Sequence, residues 1–255
     1  MTTRRSGAPR TISTPAYETV LGEIFSHEVG AGHLRNEPHL SPGFTEIKKL
    51  ALLLARNAAE EELQQFLSSH PRFLMAYFGF ADSSTHAFIT KPRVGTSHVA
   101  DFCVLASGQG GFGFSLVEIE PAHVPLFTRK GTPARRYQTA LGQVQDWKQW
   151  MGPNFATFAR ETLALAKSFP TWPERKQNGS FQLGPPEAID SAWNGFGGFD
   201  LPCVSYTIIC GRWARLSRRE RDRLVLINQQ DRNFTKTSTW DQLVRSAFVR
   251  PYTSW

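Results

Sequence analysis

The chain has 255 residues, enough for one large α/β domain with a sizeable core, and its formal charge of +7 and pI near 9.6 favour a polyanionic partner. Its three cysteines, Cys103, Cys203 and Cys210, form no CxxC pair and sit in apolar runs, which argues against a disulfide framework or a structural zinc. The N-terminal MTTRRSGAPR leads into no apolar signal core and no run approaches the length of a membrane span, so a cytoplasmic protein without a membrane partner is expected.

Residues 1–43 are rich in Arg, Pro, Gly, Ser and His and read as a basic, mostly irregular N-terminal arm, with one apolar stretch at Tyr17 to Phe25 suited to a strand or short helix. Residues 44–255 read as a single domain. From Phe44 the spacing of Ile47, Leu50 and Leu54 predicts a helix, with Lys48, Lys49 and Arg56 turned away. Asn57 followed by Glu60 resembles a capping box, so a second helix is expected to start there, carry Glu61, Leu63, Phe66 and Leu67, and stop at Pro71. HAFITK, HVADFCVL and FSLVEIE then read as strands, the last two as an antiparallel hairpin closed by SGQGGFG.

A basic connection, LFTRKGTPARR, leads into a helix that buries Tyr137, Ala140, Leu141, Val144, Trp147 and Met151. A separate helix is expected over 154–167, then a long irregular loop over about 169–202. CVSYTIICG suits a central buried strand. The basic helix LSRRERDRLVLINQQ, a short strand near Phe234 to Thr237 and a last helix from about Ser238 to Asp241 complete the chain.

The chemistry concentrates in FSLVEIEP. Side chains on a strand alternate faces, so Glu118 and Glu120 share one face and Val117 and Ile119 the other. Two like charges on a half-buried strand need a cation or a proton between them. Asp101 stands just before Phe102, and pairing across the hairpin brings it near Glu118, so three carboxylates would converge. Oxygen ligands of this kind suit Mg²⁺ or Mn²⁺. Taken alone, two alternating acids are more often a solvent-facing strand edge, and it is Asp101 that shifts the balance.

Gln143 lies beside the apolar stripe of its helix, where a polar side chain needs a partner. His98 is read as a hydrogen-bonded structural histidine. The arginines at 212, 215, 218, 219, 221 and 223 would either track phosphates or form a solvated helix face. No HExxH, GxSxG, Walker-type loop or dinucleotide fingerprint is present.

The phrases EEELQQFLSSHPRFL, ADFCVL, LVEIEP, TALGQVQDW and TIICGR, in this order between Glu60 and Trp240, resemble the nuclease domain of the Shedu anti-phage defence family, with the middle loop unmatched. The resemblance implies a PD-(D/E)XK, restriction-endonuclease-like α/β fold, a mixed central sheet flanked by helices. It implies a Mg²⁺- or Mn²⁺-dependent endodeoxyribonuclease, with Asp101, Glu118 and Glu61 on the metal and Glu120 and Gln143 completing the catalytic set. Arg135, Arg136, Arg218 and Arg219 would contact DNA. Copies of the same chain and a separate sensing subunit are further expected partners.

Glu120 departs from the pattern, because the resembling proteins have Lys at its place. A carboxylate cannot stabilise negative charge as an ammonium does, though it can act as a general base. Lys91, Lys130 and Lys148 are candidates for a displaced ammonium. The alternative is a catalytically silent module of the same fold that binds nucleic acid or serves assembly.

Overall fold

The helical period from Ala16 and the period-two runs from Thr85 build a three-layer arrangement, seen in a computed structural model that describes residues 16–25, 42–79, 85–108, 111–171, 179–195, 203–230 and 235–247. Four helices come first: α1 (Ala16–Phe25), α2 (Phe44–Ala55), α3 (Glu60–Ser69) and α4 (Arg72–Phe78). Strands β1 (Thr85–Thr90), β2 (Arg93–Val94), β3 (His98–Val99), β4 (Phe102–Gly108) and β5 (Gly111–Ile119) follow. Then come α5 (Arg135–Lys167), β6 (Phe181–Gln182), α6 (Pro186–Gly195), β7 (Cys203–Ile209), α7 (Arg218–Gln230), β8 (Thr235–Ser238) and α8 (Trp240–Ser246).

The main sheet is mixed, in the order β6-β1-β4-β5-β7-β8. β1, β4 and β5 run antiparallel to their neighbours in turn, whereas β7 and β8 run parallel to β5. The expected hairpin is β4–β5, and the expected mixed sheet with flanking helices is the observed fold. Both faces of the sheet are covered, which is why its strands read as near-continuous apolar runs. Cys103, Leu105, Phe112, Phe114 and Leu116 pack with α5, α6 and Leu224 of α7 on one side. Phe102, Val104, Val117 and Ile119 pack with α1 to α4 and α8 on the other.

The apolar stretch of the arm, expected as a strand or short helix, is helix α1, and its Val20 and Ile24 join the second core; residues 1–15 and 26–41 lie outside the described residues. Three expectations are corrected. Asn57 does not cap α3: it adopts φ of +54°, and Glu62 instead accepts the Ala59 N–H at 3.1 Å. The helix expected over 154–167 is the second half of α5, which runs on for 33 residues through Pro153. A proline costs an i−4 hydrogen bond inside a helix, and Asn154 Nδ2 donates to Trp150 O at 2.8 Å in the disturbed turn. The segment 169–202 holds β6 and α6, because Ile189 and Trp193, four residues apart, bury against the first core. Residues 172–178 and 196–202 lie outside the described residues.

No helix among the described residues is long and apolar enough to cross a membrane. Arg212, expected either to track phosphates or to lie on a solvated helix face, is instead only 2% exposed: it pairs with Asp241 of α8 and, at 3.1 Å, with Glu23 of α1. Asp241 also accepts the Ala214 N–H at 2.8 Å. This buried pair pins the turn after β7 to two helices.

Candidate active site

Strand directions decide what meets at one end of the sheet. The carboxyl ends of parallel β5 and β7 point the same way, and so do the carboxyl end of β1 and the amino end of β4. Lys91, Asp101, Glu118 and Glu120 therefore gather there, each at or just beyond a strand end. Phe102 pairs with Val117, so continuing the register by one residue sets Asp101 opposite Glu118.

Asp101 is held on every side. Its N–H donates to Val117 O at 3.0 Å, and its Oδ2 accepts the Ile119 N–H at 2.8 Å. Its Oδ1 accepts from Gln64 Nε2 at 2.8 Å and from Lys91 Nζ at 2.6 Å. Lys91 sits at φ +52°, and its N–H donates to Asp101 O at 2.9 Å. A left-handed backbone at a residue other than glycine costs roughly 1–3 kcal/mol. Here it turns the chain so that the Lys91 ammonium lies over the acid.

Glu118 is 7% exposed, and its carboxyl accepts no hydrogen bond among the described residues. Burial, then the nearby charges of Asp101 and Glu60, push its carboxyl up to about 9, with Lys91 opposing. Glu120 lies one residue past β5. Its N–H donates to Ile209 O at 2.8 Å and its carbonyl accepts Trp240 Nε1–H at 2.8 Å. Arg136 at the start of α5 donates to Glu120 at 3.2 Å and to Glu60 at 3.0 Å. Burial raises the Glu120 carboxyl, and the Arg136 hydrogen bond pulls it back. Burial and then Asp101 raise that of Glu60.

The structure thus brings Asp101, Glu118 and Glu120 together. Glu61 is exposed on α3 and stands outside the cluster, whereas its neighbour Glu60 faces in. Glu60 and Gln64 are four residues apart and so share one side of the helix, while Glu61 is turned about 100° away. That spacing is the signal that would have found both. Gln143 is half-buried, two turns along α5 from Arg136, with no hydrogen-bond partner among the described residues. Arg135, Arg136, Arg218 and Arg219 are all exposed, and of these Arg136 reaches the acids. His98, half-buried on β3, pairs with Val94 through its backbone, and its side chain makes no hydrogen bond among the described residues.

Among the described residues, no three His, Cys, Asp or Glu side chains are placed to hold one metal ion together. Glu120 turns to Arg136 rather than completing a carboxylate trio. What remains is Asp101, paired with Lys91, opposite Glu118, whose buried carboxyl holds its proton where no cation takes the proton's place. This donor set fits Mg²⁺ or Mn²⁺ held by two carboxylates and water.

The family model described as Shedu protein SduA, C-terminal, matches residues 57–244 of the chain. That span covers every residue of the cluster. A search of curated proteins found no match.

Proposed function

The chain belongs to the Shedu family, which points to anti-phage defence, and we propose that it is a metal-dependent endodeoxyribonuclease hydrolysing phosphodiester bonds at the Asp101–Glu118 pair. The observation that carries this reading is the buried, unpartnered Glu118 opposite an Asp101 that is itself fixed by Ile119, Gln64 and Lys91. Asp101 and Glu118 would hold Mg²⁺ or Mn²⁺. A divalent ion supplies charge neutralisation at the phosphate and a more acidic bound water.

The remaining chemistry belongs to the chain's own side chains. The Ile119 N–H and Gln64 amide hold the Asp101 carboxylate in one orientation, so no reorganisation is needed when substrate arrives. Lys91 brings an ammonium to the place that Glu120 cannot serve, and there it steadies negative charge on the phosphate. Its half-exposed side chain, 54% accessible, can reach a substrate from the rim. Glu120, with its affinity for a proton raised by burial, acts as general base toward the attacking water once Arg136 has turned to the phosphate.

Plasmid DNA incubated with the protein and Mg²⁺, Mn²⁺ or EDTA tests this reading. Cleavage with metal, lost in EDTA and in the Asp101→Ala and Glu118→Ala variants, is the expected result; cleavage that survives both substitutions refutes the site.

One observation favours a second reading, a silent nucleic-acid-binding or assembly module. Glu120 is engaged with Arg136, and both Asp101 oxygens already have protein donors. That reading expects DNA binding in EDTA and no cleavage with any metal. Copies of this chain and a sensing subunit are proposed partners under either reading, and light scattering on the purified chain checks the first.

A further inference from the structure

An open hollow of about 460 Å³ lies on the first turns of α7, and an adjoining one of about 160 Å³ lies between those turns and the loop that joins β5 to α5; Arg219 and Arg223 line both. Arg218 lines the larger and Arg129 and Thr128 the smaller. None of these four arginines has a carboxylate partner among the described residues. The two acids on the rim reduce the local charge but form no ion pair with them among the described residues: Glu220 turns back to cap its own helix, accepting the Ser217 N–H at 2.8 Å and its hydroxyl at 2.7 Å. Asp222 is exposed and unpaired among the described residues.

Arg223 is set in place. Its guanidinium lies 5.9 Å from the centre of the Phe127 ring and against Gly131, at φ +82°, where any Cβ would collide with Arg223 Nη1. A glycine here serves both the backbone angle and the close approach. The trough also shares its end of the sheet with the acid cluster, because both lie where β5 and β7 end. Arg215, in the turn before α7, donates to Asn57 Oδ1 at 3.0 Å, just ahead of α3 and Glu60.

We propose that this trough is a docking site for the sugar–phosphate backbone of nucleic acid, holding the strand to one side of the acid cluster. Planar, permanently charged guanidinium groups match phosphate oxygens two at a time, and four of them with few local acids form an electrostatic track. The placement beside the cluster rests on the nuclease reading, whereas the binding itself does not.

The test is binding of a labelled DNA duplex to the full chain in EDTA, across a series of salt concentrations. The variant Arg129→Ala/Arg218→Ala/Arg219→Ala removes three exposed side chains with no ion-pair partner among the described residues, so its melting temperature should match the wild type. Its log affinity against log salt should lose about 0.9 in slope for each phosphate contact removed, with binding at least ~10-fold weaker at moderate salt. Arg223→Lys, which keeps charge and packing but loses the fork, should weaken binding by a smaller factor. An RNA duplex of the same length, run in parallel, identifies which nucleic acid the trough takes.

An unchanged slope with affinity within two-fold overturns the proposal. So does a loss confined to phosphatidylserine vesicles with nucleic acid unaffected. Wild-type binding that depends on these arginines but never leads to cleavage with metal leaves the trough standing and removes the nuclease reading. Cleavage with an unaltered salt slope does the reverse.

Discussion

Glu118 is the residue whose environment makes the sharpest demand. Its folded carboxyl keeps a proton up to about 9, whereas the unfolded chain releases it near 4.5. Between those values the folded state binds more protons, so in EDTA the wild type loses stability as pH rises through that window. Glu118→Gln should remove this dependence and raise the melting temperature in EDTA near pH 8, at about 2–4 °C per kcal/mol for a chain this size. Thermal denaturation of both proteins at pH 5 and pH 8 checks it, and equal slopes would mean Glu118 is ionised and solvated.

Lys91→Ala should lower the cleavage rate by ~100-fold or more while DNA binding in EDTA stays within a few-fold of wild type. Period two on β5 and a hairpin pairing were enough to single out Asp101, Glu118 and Glu120. Lys91 could be narrowed only to one of three lysines. Its place depends on the register of β1 against β4 and on a left-handed turn, neither of which local pattern fixes.

Among the elements, the turn after β7 owes its position to the Arg212–Asp241 pair, which is buried from both sides. Removing one partner of such a pair leaves an uncompensated charge, so Arg212→Ala should cost about 3–5 kcal/mol, read from the urea midpoint at unchanged slope. A loss below ~1 kcal/mol would show that water reaches Asp241. The apolar spacing of α5 was readable from Tyr137 to Met151, but its continuity was not. Pro153 signals a stop locally, and burial of Phe158, Ala159 and Leu163 on the same core overrides it. Likewise Ile189 and Trp193 are too few to announce α6 without the core they enter.

On the scale of the whole molecule, two cores lie on opposite faces of one mixed sheet, and the acids and the Lys91 ammonium meet at the end where β5 and β7 stop. The succession of strand and helix periods was legible, whereas the mixed central sheet was implied only by the family resemblance. The meeting of α3 with the strand ends did not, since Glu60 and Gln64 reach Asp101 only through the packing of α3 on the sheet. A ligand that binds only the folded state raises stability by mass action, so millimolar Mg²⁺ should raise the melting temperature of the wild type and not that of Glu118→Gln.

Cleavage of supercoiled plasmid by wild type and Glu118→Gln, at equal protein and Mg²⁺, tests the role of the Asp101–Glu118 pair most directly. The expected result is nicked or linear product from the wild type, none in EDTA, and at least ~100-fold less from the variant. Equal rates from the two proteins would contradict that role.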